Sequence, residues 1–284
     1  MSDPHSDSST PARRERVGFI GLGNIGKPMA INLARAGFPL TVLDLDPDPV
    51  AELVALGAHA AGCPRELAER SDIICSVVMN DRQTLEVALG GDGVLAGAAA
   101  GSLIVLHSTI SVATCREVAA AAQPKGVQVI DAAVSGAEER SRLGTLSLMI
   151  GGADADVRRA WPLFEVVGSE LFHMGALGMG QATKQCNNLM SLVNIHVVEE
   201  ALRLATALGI DEHKMREVAA ASTGDSWALR NIDQMRALSQ LHGEGLSHMG
   251  RFGRKDLSLA AKLAASIDQP VPITDFVFEQ TKHA

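Results

Sequence analysis

The sequence predicts an α/β protein, with a doubly wound parallel sheet in its first half and helices in its second. Three observations carry this. An apolar run, Val17-Gly-Phe-Ile20, leads into Gly21-Leu22-Gly23-Asn24-Ile25-Gly26 and then into a segment of helical apolar spacing that ends at Gly37. Short apolar runs alternate with helical segments as far as Ile130, the pattern of a parallel sheet. Beyond Gly178 the chain reads as helices joined by loops, the first of them expected over 181–208.

Taken in order, a strand over 17–20 and a helix over 27–36 precede a strand over 40–43 that closes on Asp44. Pro47 and Gly57 bound a helix over 47–56, and Pro64 opens a short one to Arg70. Next come an expected buried strand over 72–78, a helix over 81–89, a strand over 103–106, a helix over 111–122 and a strand over 127–130. A strand is expected to end at the Ser135-Gly136 turn, and another to begin after Gly144-Thr145. In the second half Gly209 stops the long helix, and further helices are expected over 211–221, 234–241, 256–266 and 274–281. The segments 222–230 and 243–253 read as loops. Trp227, in the first of these, is read either as a cover over a pocket or as a core residue.

Bulk properties narrow the function classes. The 284 residues are 46% hydrophobic and 20% charged, enough for one large or two ordinary domains with a sizeable core. A formal charge of -8 speaks against nucleic acid as a partner, because binding phosphates needs a concentrated basic surface. Cys63, Cys75, Cys115 and Cys186 have no paired spacing, so neither a metal site nor a disulfide framework is expected, and a reducing, cytoplasmic setting is. His242 and His248 lack ligand-like neighbours. No apolar run has the length of a membrane span. Residues 1–16 are polar and of mixed charge and read as a disordered tail; the apolar residues behind Arg13-Arg14 are better explained as the first strand than as an export signal.

The glycine turn is chemically specific in this setting. Gly21 suits the tight turn, Gly23 lets the backbone approach a pyrophosphate, and Gly26 lets helix and strand pack closely, with Leu22, Asn24 and Ile25 filling out the cradle. The pyrophosphate would lie on the free N–H groups of the helix start. Asp44 stands where a carboxylate bonds the ribose hydroxyls of an adenosine, and it would repel a 2′-phosphate. No arginine follows it, so NAD is expected rather than NADP. The other reading of Asp44 is a turn residue ahead of Asp46-Pro47. Met79-Asn80 and His107-Ser108-Thr109 end strands where such sheets bind ligands, near the nicotinamide half. Ser108-Thr109 also reads as a helix cap, and His107 as a packed histidine.

Gly178-Met-Gly180 leads into the long helix, on which Lys184 and Asn188 stand four apart and share a face. A cation near a helix N-terminus is disfavoured by the dipole, and burial would also lower its pKa toward proton-transfer chemistry. The other reading is a solvated surface lysine. The Ser135-Gly136 turn offers a hydroxyl beside free backbone amides, either a carboxylate cradle or an ordinary turn.

Four ordered blocks together resemble one family. They are GFIGLGNIGKPMAINLARAG, DAAVSG followed by GTLSLMIGG, the run from Gly178 to Asn188, and Lys255-Asp256-Leu257. The pattern resembles the β-hydroxyacid dehydrogenases, which include 3-hydroxyisobutyrate dehydrogenase and tartronate semialdehyde reductase. The resemblance implies that Lys184 is the general acid/base and that Asn188 holds the substrate or that lysine. It implies that Ser135 and Gly136 bind the substrate carboxylate, and that Met79, Asn80, Thr84, Thr109 and Lys255 touch the cofactor. It also implies a Rossmann-type domain over 17–180, joined by a long interdomain helix to an all-α C-terminal domain over 181–284, with the active site in the cleft.

The sequence departs from the family at Ala133 and Asn80, where proline is usual, and in the charged loop Ala137-Glu-Glu-Arg140-Ser-Arg142. Arg140 is read as a solvated charge or, alternatively, as an anion contact for the distal end of a substrate. The activity implied is hydride transfer between NAD and a small 3-hydroxy acid or its semialdehyde. The alternatives are an imine reductase-like enzyme, a group that lacks this lysine, and a non-catalytic NAD-binding assembly or sensor protein. Glu199-Glu200 read as exposed or interface charges, and a homo-oligomer, dimer or tetramer, is expected from the resemblance.

Overall fold

The computed structural model describes residues 14–241 and 246–280, with the backbone alone over 238–241 and 246–252. The first half alternates as β1 (Val17–Ile20), α1 (Gly26–Arg35), β2 (Leu40–Leu43), α2 (Pro47–Ala55), β3 (His59–Ala60) and α3 (Pro64–Glu69). It continues with β4 (Ile73–Ser76), α4 (Asp81–Leu89), α5 (Val94–Gly97), β5 (Leu103–Leu106), α6 (Val112–Ala122) and β6 (Gln128–Ser135). Then follow α7 (Ala137–Leu143), β7 (Leu146–Gly151), α8 (Asp154–Val167) and β8 (Gly168–His173). All eight strands form one sheet in the order β3-β2-β1-β4-β5-β6-β7-β8.

Strand alternation builds two apolar layers. Phe19 packs with Met29, Leu33 and Phe164 on one face, while Ile20 joins Ile74, Ile104 and Val118 on the other. The parallel part brings the carboxyl ends of β1, β4, β5 and β6 to one edge, with the switch between β1 and β4.

The doubly wound, mostly parallel sheet expected from the sequence is present, with one antiparallel pair in it. β7 runs antiparallel to β6, and β8 follows β7 in parallel. The reason is chain length: a parallel return takes a crossover of a dozen or more residues, and α7 has seven. The segment 137–143 is therefore a helix where a charged loop was expected. It is closed by Gly144 in the left-handed conformation and tied down by Ser141, whose hydroxyl donates to Ile25 O at 2.8 Å. The unit α8–β8 fills a stretch to which the sequence assigned no element.

Of the segment read as a tail, residues 14–16 are described and held by side-chain contacts. Residues 1–13 lie outside the described residues, but Arg14 stacks on Phe38, Glu15 pairs with Arg159 at 2.7 Å, and Arg16 grips Asp72 at 2.6 Å.

The second half is helical: α9 (Met179–Ala207), α10 (Glu212–Ala220), α11 (Trp227–Arg230), α12 (Ile232–Leu241), α13 (Leu246–Ala265) and α14 (Pro272–Gln280). Ile195, Val198 and Leu202 of α9 meet Ala228, Leu229 and Ile232 in a separate core. α13 begins at Leu246, inside a segment expected to be loop. Glycines at 250 and 253 weaken the helical signal. At Gly253 a Cβ would come 3.1 Å from Leu192, so the small residue serves close packing of α13 on α9. Trp227 opens α11 and is 55% exposed, so it is not a core residue. Glu199 is buried rather than exposed, because Arg236 clamps it with two bonds of 2.7 and 2.9 Å. His242 and the side chain of His248 fall outside the described residues. Among those described, no helix is long and apolar enough to cross a membrane, and no three His, Cys, Asp or Glu side chains cluster as a metal site.

The start of α9 is locked to the sheet. Asp131, fully buried on β6, accepts N–H bonds from Gly178 at 2.6 Å and Gln181 at 2.7 Å. A Cβ at Gly180 would stand 2.2 Å from Met149 O, so only glycine permits this approach of helix to strand. The Gln181 side chain accepts from Ile110 N and donates to Ser108 O, and Gln185 donates to Ile110 O.

Candidate active site

At the β1 edge, Gly21 has φ +92°, and a Cβ there would strike Val77 O at 2.0 Å. Gly23 has open space where its side chain would be, and no side chain caps α1. The backbone N–H groups of that helix start therefore face a free approach, which fits a dinucleotide pyrophosphate. A groove of ≈ 360 Å³ lies here, lined among others by Leu22, Asn24, Lys27, Asp46 and Glu52. Ile25 packs into the apolar layer behind the turn, with Gly26 buried beside it. Asp44 anchors the turn: its carboxylate accepts from Leu22 N at 2.5 Å and Asp46 N at 2.9 Å.

At the β4 and β5 edge three of the expected contact residues meet. Lys255, from α13, donates to Met79 O at 3.3 Å and Thr109 O at 3.0 Å. Met79 is exposed at 57%. Asn80 caps α4 through Gln83 N. Thr84 does not join this group: it is 1% exposed, and its hydroxyl is used on Asn80 O within its own helix. Ser108 does not cap the following helix, a role that Ser111 takes; its hydroxyl instead accepts from Val78 N at 2.7 Å. His107 is a packed histidine. It bonds Ala132 O at 2.8 Å, meets Phe164 edge-on, and burial pulls its pKa down to about 4, so it stays neutral.

Lys184 is buried at 8% exposure, so the reading as a solvated lysine is overturned. Burial is the main cause that lowers its pKa to about 8; the Lys255 cation pushes the same way, and the Asp256 carboxylate opposes. Asn188, one turn on, donates to Asp256 Oδ2 at 2.7 Å, so α9 and α13 are joined beside the lysine. Asp256 Oδ1 is buried without a hydrogen bond, with Lys255 Nζ 3.4 Å away as an ion-pair partner. Ser135 and Gly136 close β6, with Gly136 at φ +139°.

The sequence missed Asp131, Asp256, Gln181 and Gln185 as parts of this site. Asp256 had a signal, since it stands beside Lys255 in the fourth block. Asp131 opens the second block and Gln181 and Gln185 stand in the third, but their joint role depends on the register that brings them together.

Together the edge loops, the cradle at Gly23 and the buried amine fit the class of nicotinamide-dependent oxidoreductases. Comparisons with known proteins agree. The model described as the NAD binding domain of 6-phosphogluconate dehydrogenase matches residues 16–175. A second, described as NAD-binding of NADP-dependent 3-hydroxyisobutyrate dehydrogenase, matches 178–284. The chain is 35% identical to the NAD-dependent L-serine dehydrogenase of Pseudomonas aeruginosa, over 91% of this chain and 88% of that protein. It is 36% identical to the 3-hydroxyisobutyrate dehydrogenase of the same organism, over 90% and 88%. The structure of the Mycobacterium tuberculosis 3-hydroxyisobutyrate dehydrogenase with L-serine superposes with a TM-score of 0.84 at 28% identity, covering 95% of this chain and 94% of that one. Imine reductases share the fold alone, at 20% identity or less. The chain belongs to the β-hydroxyacid dehydrogenase family.

Proposed function

We propose that the protein moves a hydride between NAD and a small 3-hydroxy acid or its semialdehyde, with Lys184 as general acid/base. The observation that carries this is a buried amine with a pKa near 8 on the helix pinned to the strand that ends at Ser135 and Gly136. Bound NAD supplies or takes up the hydride. Lys184 takes the hydroxyl proton in oxidation and returns one to the carbonyl oxygen in reduction. Ser135 and the Gly136 amide hold the carboxylate, and Asn188 borders the reacting carbon, oriented by Asp256. Met79, Asn80, Thr109 and Lys255 border the nicotinamide half. Thr84 supports Asn80 from within α4 rather than by touching the cofactor.

NAD rather than NADP is favoured by charge. Asp44 holds the turn beside a groove lined by Asp46, Asp48 and Glu138, where Glu52 offsets Lys27 in an ion pair of 3.0 Å, and the remaining carboxylates disfavour a 2′-phosphate. The Rossmann-type and all-α domains divide at about residue 180, and the site draws residues from both. The helical half is proposed to pair with a second copy. Met190, Val197 and Leu204 repeat every seven residues along α9 and are 58%, 57% and 63% exposed, an apolar stripe fitted to bury itself.

The test is a spectrophotometric panel of NAD and NADP against small 3-hydroxy acids and their semialdehydes. Lys184→Ala is expected to lower turnover by about 10²–10⁴-fold, the usual worth of general acid/base action, while NAD binding is retained. Near-wild-type turnover would remove Lys184 from the chemistry. A wild type that binds NAD but converts no substrate would favour the non-catalytic reading.

A further inference from the structure

Strand parity puts one more charged group at the substrate turn. Asp131, Ala133 and Ser135 alternate onto one face of β6, and their antiparallel partners Gly151, Met149 and Ser147 share it. The Asp131 carboxylate receives the N–H groups that open α9, so this is the face over which the Lys184 helix lies. Arg140 Nη1 donates to Ser147 Oγ at 3.3 Å. Ser147 stands directly opposite Ser135, where facing side chains are typically about 5 Å apart at Cβ. The guanidinium thus reaches the strand face that carries Ser135, the face over which the Lys184 helix lies.

The arm is half-buried and held at its root. Its stem lies over the substrate turn, where a Cβ at Gly136 would meet Arg140 Cβ at 2.8 Å and Cδ at 2.9 Å. Its backbone carbonyl accepts from Thr145 N at 2.9 Å, and the neighbouring Ser141 ties α7 to α1. Among the described residues Arg140 makes no ion pair, although Glu138 and Glu139 precede it. A guanidinium carries five donors in a planar fork matched to a carboxylate, and the Ser147 hydroxyl occupies one of them.

We infer that Arg140 reads a second carboxylate, so that the preferred substrate is a short 3-hydroxy acid bearing two carboxylates, one on the Ser135-Gly136 turn and the other on this guanidinium. The inference rests on the proposed dehydrogenase reading and deepens it. A monocarboxylate leaves the cation unpaired, whereas a dicarboxylate gains a charge-assisted, bidentate contact. Arg140 is a specificity-determining residue here; it takes no part in proton or hydride transfer.

The experiment compares wild type, Arg140→Met, which keeps the stem over Gly136, and Arg140→Lys. NADH formation is measured with malate and 2-(hydroxymethyl)succinate against 3-hydroxypropionate and 3-hydroxyisobutyrate. Arg140→Met is expected to lower kcat/KM for the dicarboxylates roughly 10- to 100-fold through KM, the range of a charged hydrogen bond, and to leave the monocarboxylates unchanged. Arg140→Lys should fall between. Equal loss in both classes, no loss in either, or a wild-type preference for monocarboxylates would overturn the inference. A second arm titrates succinate and propionate into the NADH complex by NADH fluorescence. If wild type oxidises neither class, the dehydrogenase reading fails, and this arm still decides Arg140. Succinate binding that is weakened in Arg140→Met while propionate is unaffected supports the anion contact; unchanged succinate binding overturns it.

Discussion

Lys184 shows how one residue acquires a function from its surroundings. Its ammonium is penalised by burial and by Lys255 and favoured by Asp256. Oxidation needs the free amine, so its rate should rise with pH through an inflection near 8, while reduction, which needs the ammonium, should fall through the same point. Because Asp256 favours the charged form, Asp256→Asn should move that inflection to lower pH in a kcat–pH profile; an unmoved profile would uncouple the pair. Much of this was legible in the sequence. Lys184 and Asn188 announce a shared helix face by their spacing, Met79 and Thr109 stand where strands end, and Lys255 opens the fourth block. Burial was not legible, because the exposure of Lys184 is decided by what packs on α9, and Lys255 and Asp256 come from α13. The same holds for Glu199, which pattern alone makes a surface acid until Arg236 reaches it from α12.

At the scale of elements, the decisive contact is between β6 and the start of α9. Asp131 replaces the side-chain cap that Gly178 lacks, and its carboxyl is pushed up to about 6 by burial against the pull of the N–H donors of Gly178 and Gln181. Asp131→Asn turns an amide N–H toward those donors and should cost about 2–4 kcal/mol in chemical denaturation, with kcat reduced as Lys184 loses its placement. A variant as stable and as active as wild type would show that the cap is dispensable. From its raised pKa, the Asp131 carboxyl contributes stability that declines as pH rises from 3.8 to about 6. Most strands and helices as far as β6 were readable because they have their own apolar period and proline or glycine bounds, whereas the short β3 and α5 and the unit α8–β8 were not. The reversal at β7 was not, since alternating apolar runs look alike in either direction, and only the seven-residue length of α7 decides it.

For the whole molecule, the apolar stripe on α9 sets the expectation for assembly. Leu204→Glu should lower the mass measured by light scattering toward that of one chain, with the fold retained by circular dichroism. An unchanged mass would place the subunit contact elsewhere. The locked helix start has a further consequence, for motion. With Gly180 wedged against Met149 and Asp131 gripping the first turn, α9 cannot swing at its beginning. If the two halves open and close, the bend is expected beyond Gln185, whose side chain is still tied to Ile110. Lys184 then travels with the sheet, and the parts that slide past it are Asn188, Asp256 and Lys255. Breathing of the molecule would shear the lysine's electrostatic neighbours while its distance to the substrate turn stays fixed.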